Sequence, residues 1–385
     1  MAKSYAEINE KIRKGTAVVL TAEEVAELSR GVSPREIAKK VDVVTTGTFG
    51  AMCSSGAFIN FGHAEPPIRM EKIELNGVRV SGGLAAVDTY VGATDCNPDR
   101  PAYGGAHIIE DLINGKDITL EAWGKGTDCY PRKHIKTIIN KESVNEAILY
   151  NPRNAYQNYN VATNTTDQVK YTYMGTLLPR MRNASYSTAG ELSPLLNDPE
   201  CRTIGLGTRI FLCGTEGYVT WNGTQFHSTR EVNAHGIPTS NARTIAVIGD
   251  LKNMSTEYLR AAYYEKYGVS MFVGIGIPIP VLDEDMARRV SIRNEQIETT
   301  VADYGNGNQV LGKTNYAALQ SGEIEIGGRK VRTAPVASLS QARKIAGTLK
   351  SWIQKGEFLL TEPVRPMPTG TSLKSLQEIK NEENQ

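Results

Sequence analysis

The chain contains 385 residues, of which 40% are hydrophobic and 22% charged, the composition of an ordinary globular protein. Its formal net charge of +1 gives no sign of a basic surface for nucleic acid, and no apolar run reaches the ~20 residues of a membrane span. The five cysteines are an odd number without a secretory signal, which predicts reduced thiols in a cytoplasmic protein. We therefore expect neither a nucleic-acid partner nor a membrane.

Helix start signals and a short strand are predicted near the N-terminus. Ser4 with Glu7, and Thr21 with Glu24, fit the capping box that satisfies free amides at a helix start. Residues 42–46 are β-branched and predict a strand that leads directly into GTFGAMCSSG at 47–56. A strand that ends in a Gly/Ser-rich turn is a common way to present a reactive group in α/β folds. Here the candidate group is the thiol of Cys53, and a small residue packed under a turn explains the same position at least as well.

Antiparallel hairpins are predicted where apolar residues alternate on both sides of a glycine turn. The turns are Asn76-Gly77, Asn222-Gly223 and Gly327-Gly328. Cys213 continues the apolar strand pattern of residues 208–212, so we expect it in the core.

Helices mixed with mostly antiparallel strands predict an α/β or α+β fold, with mixed sheets, several antiparallel hairpins and flanking helices. Ser338 begins a long amphipathic helix that Gly356 closes, and residues 156–190, rich in Tyr, Asn and Thr, predict a surface or active-site segment. We expect residues 1–370 to form one large catalytic unit, or two closely packed subdomains. Residues 371–385 are expected to be a polar, disordered tail.

Two short segments nearly repeat each other around a cysteine. They are TDCNP at 94–98, with Cys96, and TDCYP at 127–131, with Cys129. Cations follow both, Arg100 after the first and Arg-Lys-His at 132–134 after the second. Because neighbouring cations favour the reactive thiolate, Cys129 is the strongest candidate for nucleophilic sulfur chemistry. A surface turn that happens to hold a cysteine explains the second segment equally well, and a repeated turn type explains both.

Standard motifs for other chemistries are absent from the sequence. No cysteine pair has C-x-x-C spacing, and no Walker A, G-x-S-x-G or H-E-x-x-H sequence occurs, so no metal site is predicted with confidence. Three scattered cysteines can still ligate a [4Fe–4S] cluster, and Cys53, Cys96 and Cys129 are the possible ligands. His107 and His134 each follow a TDC segment and remain candidates for a site.

Four segments resemble the homocysteine biosynthesis family of archaea and anaerobic bacteria, the L-aspartate semialdehyde sulfurtransferases. They are GTFGAMCSSG, GATDCNPDRPAYGGAHIIEDL, GKGTDCYPRK and CRTIGLGTRIFLCGTEGYVTWNGTQF, and the likeness runs from about residue 5 to residue 365. The resemblance implies sulfur insertion into L-aspartate semialdehyde to give L-homocysteine for methionine biosynthesis. It places two active-site cysteines at Cys53 and Cys129.

The resemblance also carries expectations about regulation and partners. Many family members continue into a pair of CBS domains, whereas this chain resembles the form without them, so nucleotide regulation through such domains is not expected. A ferredoxin-like electron donor is associated with the family, and no ferredoxin cysteine pattern occurs here. We therefore expect a separate electron donor, together with a sulfide or persulfide donor and homo-oligomeric assembly.

The implied reaction assigns roles to candidate side chains. Converting an aldehyde to a thiol requires a sulfur donor, addition to the carbonyl, loss of water and two electrons. One thiolate can carry sulfur as a persulfide while a second thiol resolves the disulfide. Lys133 or His134 could protonate the leaving oxygen. The candidates for binding the substrate are Arg100, Arg132, Arg180, Arg202 and His107.

Two alternatives stay open from the sequence alone. In the first, the three-cysteine [4Fe–4S] cluster binds sulfide at an open iron, and a colourless, iron-free but active protein excludes it. In the second, the chain is a non-catalytic thiol sulfur carrier or sensor, which would make no homocysteine from aspartate semialdehyde and sulfide. The sulfur donor, the electron donor and the arginine that binds the carboxylate are not determined by the sequence.

Overall fold

The computed structural model describes residues 2–155 and 157–377. Within this part of the chain, no helix is long and apolar enough to cross a membrane. The helices found there are α1 (Tyr5–Arg13), α2 (Ala22–Leu28), α3 (Pro34–Lys40), α4 (Gly105–Ile113), α5 (Pro194–Asn197), α6 (Glu284–Arg289), α7 (Tyr316–Gln320) and α8 (Leu339–Gln354).

Short strands make up most of the regular structure. In the first half of the chain they are β1 (Val19–Thr21), β2 (Val43–Thr45), β3 (Thr48–Ala51), β4 (Gly56–Asn60), β5 (Lys72–Leu75), β6 (Val78–Val80), β7 (Asp88–Gly92), β8 (Cys96–Asn97), β9 (Arg100–Gly104), β10 (Ile118–Trp123), β11 (His134–Ile139), β12 (Glu146–Asn154), β13 (Val161–Thr163), β14 (Lys170–Thr172), β15 (Gly175–Leu177) and β16 (Asn183–Tyr186). In the second half they are β17 (Gly205–Leu206), β18 (Arg209–Leu212), β19 (Thr215–Asn222), β20 (Ile245–Asp250), β21 (Leu259–Tyr264), β22 (Gly268–Gly276), β23 (Pro278–Pro280), β24 (Glu298–Asp303), β25 (Gln309–Asn315), β26 (Glu323–Ile326), β27 (Arg329–Pro335) and β28 (Arg365–Pro366).

A nine-stranded sheet forms the centre of the fold. Its order is β21-β22-β18-β19-β20-β12-β4-β7, and β3 pairs with β22. A four-stranded sheet has the order β11-β10-β5-β6, and a six-stranded mixed sheet has the order β25-β24-β13-β16-β27-β26. Helix α8 packs on β3 and β22 with its apolar face, which includes Ile345 and Leu349. The predicted α/β fold of mixed sheets, antiparallel hairpins and flanking helices is confirmed.

The local start and turn signals are mostly confirmed. Both capping boxes form, at Ser4 and Thr21, and Ser338 caps α8 by accepting a hydrogen bond from the Gln341 amide. The Asn76-Gly77 turn joins β5 to β6 with positive φ at both residues (48° and 77°), the conformation that a tight hairpin turn requires. Gly327-Gly328 does the same between β26 and β27, with φ of 55° and 75°.

The hairpin predicted at Asn222-Gly223 is wrong. The tight turn in this region is Cys213-Gly214, with φ of 51° and 96°, which joins β18 to β19. Strand β19 continues through to Asn222 and pairs with β20, and the intervening residues 223–244 form a long connection. Gly223 is needed for close packing, because a Cβ there would lie 2.4 Å from Thr244 Oγ1.

The segment 156–190 has more regular structure than its composition indicates. It contains β13 to β16, of which β13 and β16 belong to the six-stranded sheet. Strands of three or four residues are too short to show a clear alternation, which is why the pattern was not visible in the sequence.

The first residue of the predicted C-terminal tail has a hydrogen-bond partner, because the Thr371 amide donates to Ser228 Oγ over 3.1 Å. Residues 378–385 of the predicted tail lie outside the described residues.

Candidate active site

Cys53 lies in a tight turn between two strands of the central sheet. Strand β3 ends at Ala51, β4 begins at Gly56, and the Ser55 amide donates to the Met52 carbonyl over 3.0 Å. The Cys53 side chain is half-buried and lines a cavity of about 350 Å³. The predicted strand at 42–46 forms as β2, but residues 48–51 of the predicted turn form the further strand β3, and the turn itself is limited to the residues between β3 and β4. The thiol lies at the wall of a pocket large enough for a small metabolite.

The cavity wall is polar but carries little charge. Its polar members are Thr48, Cys53, Ser54, Arg153, Tyr159, Tyr173, Ser187, Thr188, Ser193, Gln225, Tyr267 and Ser270. Among the described residues that line it, Arg153 has the only charged side chain, and none is Asp, Glu, Lys or His. A small anion is therefore the charge type that this cavity favours.

Tyr267 provides a hydroxyl group directly at the Cys53 sulfur, and a hydrogen bond joins the two side chains. Burial, followed by the electrostatic influence of Cys53 and this hydrogen bond, raises the pKa of Tyr267 to about 12, while Arg153 opposes the shift. Since the phenol stays protonated at neutral pH, it is a hydrogen-bond and proton donor at the reactive sulfur.

Other tyrosines close one side of the cavity. The Tyr173 ring meets the rings of Tyr159 and Tyr267 edge-on, each with centroids 6.0 Å apart, and its hydroxyl donates to the Tyr304 hydroxyl over 3.2 Å. Burial raises the pKa of Tyr264, which neighbours Cys53, to about 12. This aromatic wall keeps the sulfur in a partly dehydrated environment, where its hydrogen bond is stronger than in water.

Arg153 is held beside the cysteine turn by its own backbone. Its carbonyl accepts from Ser54 Oγ over 3.2 Å, and its amide donates to Asn151 Oδ1 over 2.8 Å. The pairing of β12 with β20 shifts register between Asn151 and Asn154, so Arg153 lies in a bulge. Bulges redirect side chains and are frequent beside active sites. Ala155, which also lines the cavity, has a strained φ of 50°.

The buried side chain of Asn151 ties these two segments together. It is fully buried, donates from Nδ2 to Ser55 Oγ, and accepts from the Arg153 amide. The amide therefore fixes the Cys53 turn relative to the bulge that carries Arg153.

We expect Asn151→Ala to lower the free energy of unfolding by about 1–3 kcal/mol, because buried partners lose their hydrogen bonds. It should also lower the rate of any reaction that needs Cys53 and Arg153 in register. Urea denaturation measures the first effect and turnover the second. Asn145→Ala is the control, since that exposed side chain makes one hydrogen bond, to Asn60 Oδ1 over 3.0 Å. Equal midpoints for the two variants would contradict the role of Asn151.

Cys129 lies on an exposed loop between β10 and β11 and does not line the Cys53 cavity. Its sulfur is 3.6 Å from Thr127 Oγ1. The side chain of Lys133 folds over Gly126, where a Cβ would lie 2.8 Å from Lys133 Cε. His134 pairs through Nε2 with Glu121 over 3.0 Å at the start of β11. These candidates lie in the loop between β10 and β11 and at the first residue of β11.

The candidate substrate-binding arginines have other partners and do not line the cavity. Arg100 donates to the Asn76 carbonyl over 2.7 Å, and Arg132 donates to the Glu65 carbonyl over 2.6 Å. The remaining contacts are those of Arg180 with Asp167 (2.5 Å), Arg202 with Asp283 and Asp285 (2.8 and 2.7 Å), and His107, whose Nδ1 accepts from the Gly104 amide over 3.2 Å. Each of these side chains therefore has a structural partner outside the cavity.

Cys96 is exposed in β8, and the preceding Asp95 accepts from the Gly92 amide over 2.9 Å. The two TDC segments therefore differ in structure. The one at Cys96 enters strand β8, which pairs with β9, and the one at Cys129 lies in a loop. Within residues 2–155 and 157–377, no group of three or more Cys, His, Asp or Glu side chains is placed to hold a metal ion. This geometry gives no support to a cluster held by Cys53, Cys96 and Cys129.

Cys201 and Cys213 are both buried, as predicted for Cys213. Burial raises the pKa of the Cys201 thiol and raises that of Cys213 from its ordinary value to about 12. Neither lines the cavity, so we place both in the core rather than in a site.

We expect Cys213→Ala to be active at pH 7 and slightly less stable, by about 1 kcal/mol. The folded state holds the Cys213 proton more tightly than the unfolded state does. The buried thiol therefore makes its full contribution to the free energy of unfolding below the ordinary thiol pKa. That contribution is lost as the pH rises toward 12. Denaturation of both proteins between pH 8 and 11 should show a steeper decline for the native sequence. Parallel curves, or an inactive but folded variant, would contradict this.

Sequence reasoning missed Arg153 and Tyr267. Pro152 precedes Arg153 in β12, and proline inside a strand is a signal of a bulge that could have drawn attention to it. Tyr267 lies in the turn that joins β21 to β22, just before Gly268, and nothing local distinguishes it from the other tyrosines around it.

Comparison with known proteins agrees with the earlier resemblance. The chain is 48% identical over 380 residues to the L-aspartate semialdehyde sulfurtransferase of Methanosarcina acetivorans, covering 98% of this chain and 74% of that protein. It is 51% identical over 381 residues to the protein of the same name from Methanocaldococcus jannaschii, covering 94% and 72%. No solved structure matches significantly. Residues 17–360 match the family described as homocysteine biosynthesis enzyme, sulfur-incorporation, and the chain belongs to that family.

Proposed function

We propose that the chain is an L-aspartate semialdehyde sulfurtransferase that forms L-homocysteine, with Cys53 as the residue that carries the sulfur. The observation that supports this most is the position of Cys53, at the wall of a small cavity and hydrogen-bonded to Tyr267. Among the five cysteines, all within the described residues, it alone lines that cavity. The proposed substrate, L-aspartate semialdehyde, is the one that the names of the two relatives give.

The first half of the reaction follows from these residues. The Cys53 thiolate attacks the outer sulfur of a persulfide or polysulfide donor, breaks its sulfur–sulfur bond so that the donor thiolate leaves, and holds the transferred sulfur as a persulfide. The terminal sulfur attacks the aldehyde carbon, forming a carbon–sulfur bond while the carbonyl oxygen takes up the electron pair. Tyr267, which keeps its proton at neutral pH, donates to that oxygen.

The second half requires electrons from outside the chain. Two electrons and one proton break the sulfur–sulfur bond and return the Cys53 thiolate. The hydroxyl group then leaves as water to give a thioaldehyde, and two more electrons with two protons reduce it to the thiol. A persulfide thus consumes four electrons for each homocysteine, and free sulfide would consume two. A separate ferredoxin-like protein is the electron donor that we propose.

Cys129 enters the proposal as the second thiol. Its exposed loop is accessible to an external sulfur donor, whereas Cys53 is half-buried at the cavity wall. We propose that Cys129 reloads or reduces Cys53 between turnovers, and that movement of the loop or a second copy of the chain brings the two together. The chemical step at the aldehyde would then depend on Cys53 alone.

Anaerobic assay of the purified protein with polysulfide as the sulfur donor, aspartate semialdehyde and dithionite tests the proposed function. We expect homocysteine, identified by mass spectrometry, from a preparation free of iron. If no homocysteine forms, the chain is a thiol carrier or sensor and not the enzyme proposed. Activity that appears only with bound iron and its visible absorption would favour a [4Fe–4S] mechanism instead.

A further inference from the structure

We propose that Arg153 binds the carboxylate of the aldehyde acceptor and is the residue that selects acceptors at this site. The inference rests on the proposed function and names the acceptor class, short aldehydes that carry one carboxylate. The arginines near the TDC segments are not needed for this role.

The charge distribution of the cavity supports Arg153. Its guanidinium is the only charged group in the lining among the described residues, and no acidic side chain of that lining is present to neutralise it. An anion that enters the cavity would therefore be the counter-ion of the Arg153 guanidinium. Arg–carboxylate hydrogen bonds are charge-assisted and often bidentate, which fixes the orientation of the bound group as well as its affinity.

The backbone geometry supports a fixed relation between anchor and nucleophile. The Ser54 hydroxyl, next to Cys53, donates to the Arg153 carbonyl over 3.2 Å. Asn151 connects Ser55 to the Arg153 amide from the other side. A substrate held by its carboxylate at Arg153 would thus present its aldehyde to Cys53 without a separate loop having to close.

Arg153 also acts within range of the proton donor. It favours the ionised form of Tyr267, which shows that its charge is felt at the hydroxyl bonded to the Cys53 sulfur. The three side chains therefore form one unit, with a sulfur carrier, a proton donor and a carboxylate anchor.

The same lining predicts which part of the substrate is not recognised by charge. No Asp or Glu of the described residues lines the cavity, so no carboxylate there is placed to pair with the α-ammonium group. We therefore expect succinic semialdehyde, which keeps the carboxylate and lacks the amine, to accept sulfur. Its product would be 4-mercaptobutyrate, formed with the same balance of sulfur, protons and electrons.

Two acceptors that differ only in the carboxylate test the inference. With polysulfide as sulfur donor and dithionite as reductant, kcat/KM is measured for succinic semialdehyde and for butanal. The native protein should prefer succinic semialdehyde by about 10- to 100-fold, the range of a hydrogen bond to a charged group. In Arg153→Met this preference should disappear through a higher KM for succinic semialdehyde. Arg153→Lys should restore part of it.

A matched control and a second readout complete the test. Arg182→Met removes an exposed arginine outside the cavity lining and should keep the native preference. Butyrate should slow alkylation of Cys53 by iodoacetamide in the native protein and not in Arg153→Met, a measurement that needs no turnover. Retention of the preference or of the protection in folded Arg153→Met would overturn the inference, as would a native protein without preference. If the native protein makes no homocysteine from aspartate semialdehyde, the proposed function fails instead.

Discussion

With Cys53 replaced by serine, we expect the protein to keep its fold and to lose homocysteine formation altogether. A serine hydroxyl cannot hold a sulfur atom as a persulfide, so no residual route through this residue exists. The side chain is half-buried in a turn, where exchanging sulfur for oxygen costs little packing. Homocysteine release, followed anaerobically, is the measurement, and circular dichroism reports the fold.

Cys96→Ser is the matched control for Cys53→Ser. Cys96 is exposed, lies in a similar TDC segment and does not line the cavity, so full activity is expected. Loss of activity in both variants would indicate a shared cluster of cysteine ligands. In Cys129→Ser we expect multiple turnover to be lost and a single turnover from preloaded Cys53 to be retained. Native turnover in Cys53→Ser would remove Cys53 from the mechanism.

Replacing Tyr267 by phenylalanine should lower kcat by about 100- to 10,000-fold, the range for loss of a general acid. The ring remains in the aromatic wall, whereas the hydroxyl that bonds to the Cys53 sulfur is removed. Because the pKa of Tyr267 is raised to about 12, its proton is lost only as the pH rises through that value. The native rate should therefore show no loss from this group up to pH 9.

Tyr263→Phe is the control for Tyr267→Phe. Tyr263 lies in β21, is 44% exposed and does not line the cavity. Its variant should keep native kcat. A Tyr267→Phe protein with native kcat would show that another group, or water, donates the proton.

The local part of the site could be read from the sequence. Residues 48–51 of the predicted Gly/Ser-rich turn form strand β3, but the turn at Cys53 itself was predicted correctly, because that pattern depends only on neighbouring residues. The same holds for the capped helix at Ser338 and for the Asn76-Gly77 hairpin.

The rest of the site depends on contacts between distant segments. Arg153 and Tyr267 reach Cys53 through the pairing of β12 with β4 and of β22 with β3, and no local pattern encodes those pairings. Proximity in sequence was also misleading for the cations after Cys129. His134 pairs with Glu121 across β10 and β11, and Arg132 bonds to the carbonyl of Glu65.

The central claim is that Cys53 holds the sulfur that reaches homocysteine. Protein loaded anaerobically with ³⁵S-labelled sulfur, freed of excess donor and digested, locates the label by peptide mass and radioactivity. A parallel sample receives aspartate semialdehyde and dithionite before digestion. We predict label on the Cys53 peptide in the first sample and in homocysteine in the second. Label that stays on Cys129 or another cysteine, with none passing through Cys53, would contradict the claim.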